Sequence, residues 1–475
     1  MILFPILLSL FSWLLILWLS NQHRYLNIFE QIVLGFVSAL SLFVLELFLG
    51  WLLFNRLSLV GPLVTFFVLL GLFVHRIKLN PHYLQEVLNS IGMNLQNISH
   101  QFLAYKLWKK ILIVAMLVYA LFKIVMVFSI NTHMPTFDED AVYGWDMKTK
   151  IFVENKSLVL DKASPEYFWS DYGRYPFASI TDTYFLLPYG WFVDGLSNII
   201  SPLMYLFVFL LLFGIFLRKT DLFSSILLWY IFVSLPFAFI HGIGSYRNFP
   251  AWVLLFLFVF YLIDQIFPLN SENNRNAWLY FPLILIAFLS SIVRNEWVML
   301  TGISFLVVIV SYHIIKKGNL KSSMNQLRLL LPIILWYIVD KIIFSFYPVW
   351  AVLNTWGTNI NFALLTSFFT NISQPGVFVA PFQQMFYHPD YILLFVLLCI
   401  SLIIFLAFYK RMKEVWIMFF VIMILLFIFI FILYANLSLW LLTHFAFIRY
   451  PISIILFLIY FIWSVVYIGY EHKKN

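Results

Sequence analysis

Apolar runs of about 20 residues recur along almost the whole chain, and they constrain its fold more than any other feature. A helix needs about 20 apolar residues to cross the hydrocarbon core of a bilayer. Such a helix also satisfies its backbone hydrogen bonds internally, as lipid requires. Thirteen runs come close to this length, near residues 2–19, 28–54, 57–75, 111–131, 196–217, 222–240, 250–268, 277–293, 297–315, 329–347, 391–409, 415–435 and 447–469.

The composition agrees with a membrane protein. Hydrophobic residues make up 63% of the chain and charged residues 11%, whereas soluble domains are about 45–50% apolar and about 25% charged. These values exclude a soluble enzyme, a disordered protein and a nucleic-acid-binding domain. We expect residues 1–475 to form one all-α membrane domain, a polytopic bundle of about 11–13 transmembrane helices.

The distribution of lysine and arginine predicts the orientation of this bundle. With the N-terminus outside, 18 of the 29 fall on one side and 10 on the other, and Lys123 lies within a span. Positively charged loops remain in the cytoplasm, so the first side is predicted to be cytoplasmic. Residues 76–110 fall there and have the amphipathic spacing of a helix on a membrane surface. The long aromatic helices, the single cysteine and the lack of long disordered tails indicate a bacterial inner membrane protein.

Two polar segments are predicted outside, residues 132–195 and 348–390. The first is a large external loop that contains 10 of the 21 acidic residues. Within it, Thr136 and Glu139 form a capping box, so a helix should begin there with Asp138 in its first turn. Helix-terminal N–H groups keep such a carboxylate ionised, and it can then act as a general base or help to bind a divalent cation. The alternative is that the acids form a solvated helix end.

The order of motifs resembles the GT-C superfamily of integral-membrane glycosyltransferases. The first motif is an Asp-Glu pair early in a large external loop, followed by Trp and Lys, here Asp138-Glu139, Trp145 and Lys148. Arg-Tyr-Pro follows in the same loop as Arg174-Tyr175-Pro176, and Arg-x-Glu lies at a later outer helix end as Arg294-Asn295-Glu296. Members typically use polyprenyl-phosphate sugars as donors, and an Asp in the first large loop is the base. In many of them this loop follows the first helix, whereas here three apolar runs precede the helix that leads into it.

The resemblance implies an enzyme of cell-envelope polysaccharide biosynthesis that works at the external face. It would transfer a sugar, with inversion, from a polyprenyl-phosphate donor to a glycan, lipid or protein acceptor. Asp138 would be the base, and Glu139 would orient the acceptor or bind a cation such as Mg²⁺ or Mn²⁺. Trp145 and Lys148 would contact the sugar and the phosphate respectively.

A lipid phosphate also needs arginine near the outer boundary, because guanidinium groups bind phosphate oxygens bidentately. Four arginines are predicted to lie there: Arg174, Arg247, Arg294 and Arg449. Arg174 shares a motif with Tyr175, and Arg294 shares one with Glu296; these two partner residues are also expected at the site. The alternative for each is that a long side chain reaches the interface without binding a ligand. Arg294 has a further alternative, an ion pair with Glu296.

Two other functions fit the same composition. One is an O-antigen polymerase or ligase, although those enzymes usually place their largest external loop in the C-terminal half. The other is a transporter or flippase of lipid-linked sugars, which would depend on mid-membrane groups such as Lys123 and Asp340. Glu30, Glu46 and Asp264 also lie in or near apolar runs, and the sequence assigns them no chemistry.

Overall fold

Every regular element in the described part of the chain is helical, as the apolar runs predict. The structure is a computed structural model. It describes residues 3–19, 26–134, 141–159, 178–218, 220–244, 248–266, 280–293, 296–316 and 362–374, and short pieces at 331, 334–335, 338, 342, 392, 396, 399–400, 402–403, 406–407, 421–424 and 461–462.

Four of the described helical segments are long and apolar enough to cross a membrane: Ile28–Phe54, Val60–Leu79, Leu107–His133 and Asp194–Leu217. Shorter apolar helices follow in the second half of the described chain. The last four predicted runs lie largely outside the described residues, so the count of 11–13 spans stays a prediction.

The helices in the first half are α1 to α7. Their bounds are α1 Leu3–Leu19, α2 Ile28–Phe54, α3 Val60–Leu79, α4 Tyr83–Ala104, α5 Leu107–His133, α6 Met147–Asn155 and α7 Ala178–Leu186. A π-helical turn over Ala141–Asp146 leads directly into α6. The predicted run 28–54 coincides with α2, which begins with a capping box. The Asn27 side chain accepts from the Glu30 N–H at 3.1 Å, and the Glu30 carboxylate accepts from the Asn27 N–H at 3.5 Å.

Helix α4 occupies the middle of the predicted surface segment 76–110. Its residues Tyr83 and Val87 are buried against α1 and α3, while Leu84 and Leu88 are exposed. The helix therefore combines a packed face with an exposed apolar flank, as expected for a helix at a membrane surface.

The helices in the second half are α8 to α14, and a 3₁₀ turn over Asp194–Leu196 precedes the first of them. Their bounds are α8 Ile200–Leu217, α9 Leu222–Ser234, α10 Pro236–Ile243, α11 Asn248–Ile266, α12 Tyr280–Val293, α13 Glu296–Lys316 and α14 Phe362–Ile372. The last of these lies in the predicted external segment 348–390.

The run 222–240, predicted as one helix, is divided into α9 and α10. The prediction was wrong there because mean hydropathy does not detect the effect of Pro236 on a helix. A proline has no N–H to donate, and inside a continuous helix its ring would clash with the preceding turn. Instead the Leu235 N–H donates to the Phe232 carbonyl at 3.1 Å, and α10 starts at the proline.

Hydrogen bonds between distant segments define two ends of the bundle. At the first, which we call the Arg218 end, Asn27 Nδ2 donates to the Gly214 carbonyl at 2.5 Å. There the Leu222 N–H donates to Gln101 Oε1 at 2.8 Å, which brings the end of α4 to the start of α9.

At the opposite end, which we call the large-loop end, Ser157 Oγ donates to Asn55 Oδ1 at 2.8 Å. The Asn131 Nδ2 donates there to the Gly242 carbonyl at 3.0 Å. Helices α2, α5 and the α9–α10 pair therefore run from the Arg218 end to the large-loop end, and α3 and α8 run back.

The core is built on α2, α8 and α11, which are mostly buried. Helices α3 and α5 are mostly exposed, and their exposed residues are large and apolar, such as Phe67 and Phe122. This arrangement suits a bundle whose outer helices face lipid and whose inner helices position polar groups at the two ends.

Candidate functional site

The candidate site is the interface of α6 and α7 at the large-loop end. The hydroxyls of Thr149 and Ser179 both donate to the Trp145 carbonyl oxygen, each at 2.9 Å. Because Trp145 precedes α6 and Ser179 lies in the first turn of α7, this shared acceptor holds the beginnings of the two helices together.

The chain enters α6 through the π-helical turn Ala141–Asp146. Single π-helical turns are rare and are frequent at functional sites. This turn directly follows residues 135–140, which contain the predicted catalytic pair Asp138 and Glu139. Those residues lie outside the described part of the chain.

Three charged side chains in α6, α7 and the π-helical turn before α6 are withdrawn from solvent. Asp146 is 3% exposed, Lys148 is 2% exposed and Asp182 is fully buried. Burying a charge costs several kcal/mol unless nearby groups compensate for the lost water, as a general order of magnitude. Residues three apart lie near one helix face, so Asp182 and Ser179 are neighbours on α7.

Helix α7 is buried along its whole described length, and it also contacts α1, α2 and α12. The Tyr184 hydroxyl donates to the Pro5 carbonyl at 3.0 Å and accepts from Ser9 Oγ at 3.0 Å. Burial raises the pKa of Tyr184 above its ordinary value, so the phenol remains a hydrogen-bond donor. These bonds attach the last turn of α7 to α1, while the first turn of α7 contacts α6.

Of the predicted site residues, the structure brings together Trp145 and Lys148, which are both buried in the α6–α7 region. The remaining predicted side chains lie outside the described residues: Asp138, Glu139, Arg174, Tyr175, Arg247, Arg294, Glu296 and Arg449. The backbone of Glu296 begins α13, and α12, which leads to Arg294, contacts α7.

Sequence reasoning did not single out Asp182, which it counted only among the acids of the loop. No motif surrounds this residue. The available signal was its setting, since Ser179, Thr181 and Thr183 give a short apolar segment an unusual content of hydroxyl groups. Only the packing of α7 against α6 shows that the carboxylate is buried rather than solvated.

A second polar cluster at the large-loop end joins α5, α8 and α10. Ser201 Oγ donates to Asn198 Oδ1 at 3.2 Å, and Asn198 Nδ2 donates to Asn131 Oδ1 at 3.2 Å. The Asn131 amide then donates to the Gly242 carbonyl. This chain of amides holds the segment that precedes residues 245–247, where Arg247 lies.

The Arg218 end carries an ion network that sequence reasoning did not assemble. Arg218 Nη2 lies 2.8 Å from Glu30 Oε1, and its Nη1 lies 3.0 Å from Asp264 Oδ2. The Tyr261 hydroxyl also donates to Glu30 Oε1 at 3.2 Å. The network joins α2, α8 and α11 at the end opposite the candidate site, so it stabilises the scaffold rather than the α6–α7 interface.

Within the described residues, no three His, Cys, Asp or Glu side chains gather closely enough to hold a metal ion. A divalent cation at Asp138 and Glu139 therefore stays a prediction. The site is defined by its own geometry, namely buried charges on two short helices at one end of an apolar bundle. No protein-family model, curated protein or solved structure matches this chain.

Proposed function

We propose that this protein is a GT-C-type membrane glycosyltransferase that uses a polyprenyl-phosphate sugar. The observation that supports it best is the burial of Asp146, Lys148 and Asp182 in the short helices of the large loop. A loop that only connected two spans would leave such groups in water, because burying them is costly. Ionisable groups enclosed in this way are candidates for a functional site.

The proposed reaction is an inverting transfer. An acceptor hydroxyl oxygen attacks the anomeric carbon of the donor sugar, and its proton passes to the Asp138 carboxylate. The bond between the anomeric carbon and the phosphate oxygen breaks, and the electron pair leaves with the polyprenyl phosphate. Lys148 is assigned to the phosphate, where an ammonium stabilises the charge that develops on the leaving group.

The setting in the bundle suits a lipid-borne donor. The exposed apolar faces of α3 and α5 extend toward the large-loop end, so a lipid headgroup at the membrane boundary is level with the site. The excess of basic residues in the loops that alternate with the large loop places the Arg218 end in the cytoplasm. In a bacterial inner membrane, the site then faces the periplasm.

The test is mass spectrometry of polyprenyl-linked sugars in membranes of strains that carry the wild type, Asp138→Asn, Asp182→Asn or no copy. Asp194→Asn is the matched control, since Asp194 is an exposed acid in the same loop. We expect the deletion, Asp138→Asn and Asp182→Asn strains to accumulate one sugar-phosphate lipid that the wild type and Asp194→Asn consume. Protein levels in membranes are compared in parallel.

Identical lipid profiles in all strains, with the variants present at wild-type levels, would contradict the proposal. Accumulation in the deletion strain alone would support an enzyme in which neither Asp138 nor Asp182 takes part in the chemistry.

A transporter of lipid-linked sugars is the second candidate, and the break between α9 and α10 favours it. Discontinuous membrane helices form the substrate sites of many transporters, and Pro236 breaks a crossing here near its middle. A transporter predicts that a Pro236→Ala variant impairs export of a lipid-linked sugar whose structure is unchanged. An enzyme predicts that the lipid-linked sugar itself differs.

A further inference from the structure

Lys123 is an unusual residue in α5, one of the helices long enough to cross a membrane. It lies ten residues before the end of the helix at His133, about 15 Å along the axis. In the described spanning helices it is the one lysine or arginine that is more than about a turn from a helix end. An ionisable residue at such a position is costly and needs a partner.

The contacts of Lys123 within the described residues are aromatic faces. Its ammonium nitrogen lies 4.2 Å from the ring centroid of Phe239 on α10 and 5.6 Å from that of Tyr119 on α5. No carboxylate in the described part of the chain pairs with it. Cation–π contacts attract an ammonium but do not neutralise it, so no described group balances the charge.

The level of the ammonium follows from the helix register. Asn131 and Gly242 lie at the same height, because they share a 3.0 Å hydrogen bond. The Lys123 Cα lies eight residues below Asn131, about 12 Å, whereas Phe239 lies three residues below Gly242, about 4.5 Å. Side chains on both helices bridge this difference of about 7.5 Å, and the ammonium lies in the half of α5 that is nearer the large-loop end.

Lys123 and Phe239 are both half-buried, so the groove between α5 and α10 is partly open to lipid around this ammonium. Phe122, next to Lys123, is 58% exposed, and Ile240, next to Phe239, is 54% exposed. Its described lining is aromatic and aliphatic, which suits acyl chains. An anion that approaches Lys123 from the lipid side of this groove arrives as part of a lipid.

We propose that Lys123 binds the headgroup phosphate of an anionic phospholipid in the leaflet at the large-loop end. One ammonium balances the single negative charge of a phosphodiester. In a zwitterionic headgroup, the lipid's own ammonium competes for that phosphate, so a headgroup such as glycerol is favoured. The acyl chains would lie along the exposed apolar face of α5. This site is independent of the proposed glycosyl transfer.

The experiment is native mass spectrometry of the purified full chain with phosphatidylglycerol and phosphatidylcholine. The variants are Lys123→Gln and Lys123→Arg, and Lys150→Gln is the control because Lys150 is exposed at the same end of the bundle. We expect the wild type to retain phosphatidylglycerol in preference. Lys123→Gln should weaken that binding about tenfold, because a charge-assisted hydrogen bond is lost. Lys123→Arg and Lys150→Gln should bind as the wild type does.

Equal binding of phosphatidylglycerol to the wild type and to Lys123→Gln, with similar melting temperatures, would overturn the proposal. So would a stronger retention of a polyprenyl-phosphoryl sugar than of phosphatidylglycerol at Lys123. If Lys123→Gln fails to fold, the wild type decides the matter, since a wild type that does not distinguish the two phospholipids refutes the site.

Discussion

Arg218 closes the end of α8 with a guanidinium group that bridges carboxylates on two other helices. Burial by itself would lower the pKa of Arg218, but Asp264 and Glu30 raise it above its ordinary value, so the group stays charged. Glu30 is fully buried, and Arg218 is its countercharge. The two residues are 188 positions apart in the chain, so no local pattern could pair them, although each was recognisable as an ionisable group near an apolar run.

We predict that Arg218→Met destabilises the protein by about 3 kcal/mol, because removing one partner of a buried pair leaves an uncompensated charge. Thermal unfolding of the purified protein in detergent measures the change. Arg56→Met, at an exposed arginine at the other end of α2, should leave the melting temperature almost unchanged.

The double variant Arg218→Met with Glu30→Gln provides the internal check. It should be more stable than Arg218→Met alone, since no charge is then left buried on α2. A double variant less stable than Arg218→Met would contradict the pairing.

At the scale of the helices, α2 and α8 cross closely at Gly214. A Cβ atom there would lie 2.7 Å from Asn27 Oδ1 and 2.9 Å from Glu30 Cγ. Small residues allow membrane helices to approach in this way. The position and length of α2 were predictable, because an apolar run and its capping residues are local signals. The identity of its neighbour was not, because any apolar helix presents a similar surface.

Gly214→Ala should therefore destabilise the protein by about 1–3 kcal/mol, as overpacking of a tight contact does. The matched control is Gly71→Ala on α3, where a Cβ would meet nothing within 4 Å. Melting temperatures of the two variants provide the comparison, and a Gly214→Ala protein as stable as Gly71→Ala would show that the α2–α8 crossing is looser than described.

In helix α7, at the candidate site, the polar residues could likewise be read from the sequence, whereas their contacts with α6 could not. Ser179 gives it a hydrogen bond to the Trp145 carbonyl, and that bond holds the first turn of α7 against the start of α6. If the proposed glycosyl transfer takes place, Ser179→Ala should lower it several-fold, because α7 loses a hydrogen bond worth about 1 kcal/mol that holds it against α6. The measurement is the accumulated sugar-phosphate lipid, normalised to protein level.

Ser234→Ala is the control, since Ser234 Oγ bonds within its own helix, to the Tyr230 carbonyl. An equal effect of both variants would mean that loss of a hydroxyl, rather than the α6–α7 contact, is responsible.

For the whole molecule, the connections fall alternately at the two ends of the bundle. The segment before α2, the end of α4 and the α8–α9 connection meet at the Arg218 end, while Asn55, Ser157 and Gly242 lie at the large-loop end. This agrees with the division of loops that the basic residues predict. The direction of the bundle in the membrane stays a prediction of the charge rule.

Cysteine labelling tests that direction. Cys399 is the one cysteine of the chain, so a Cys399→Ser background accepts single probes. Lys150→Cys on α6 should react with an impermeant maleimide in intact spheroplasts, and Gln96→Cys on α4 should react only after permeabilisation. Both positions are exposed, and the reverse pattern would place the large loop in the cytoplasm.

The amino-acid sequence by itself predicted a helical membrane protein, approximately where its first helices begin and end, and a loop that contains 10 of the 21 acids. These are local properties, because the free energy of moving an apolar run into the bilayer and the capping of a helix depend on neighbours in the chain. The tertiary structure decided which charges are buried and which distant groups meet them, as at Asp182 and in the Arg218 network. Those properties depend on contacts between helices far apart in the chain, and the free energy of a charge is set by what surrounds it.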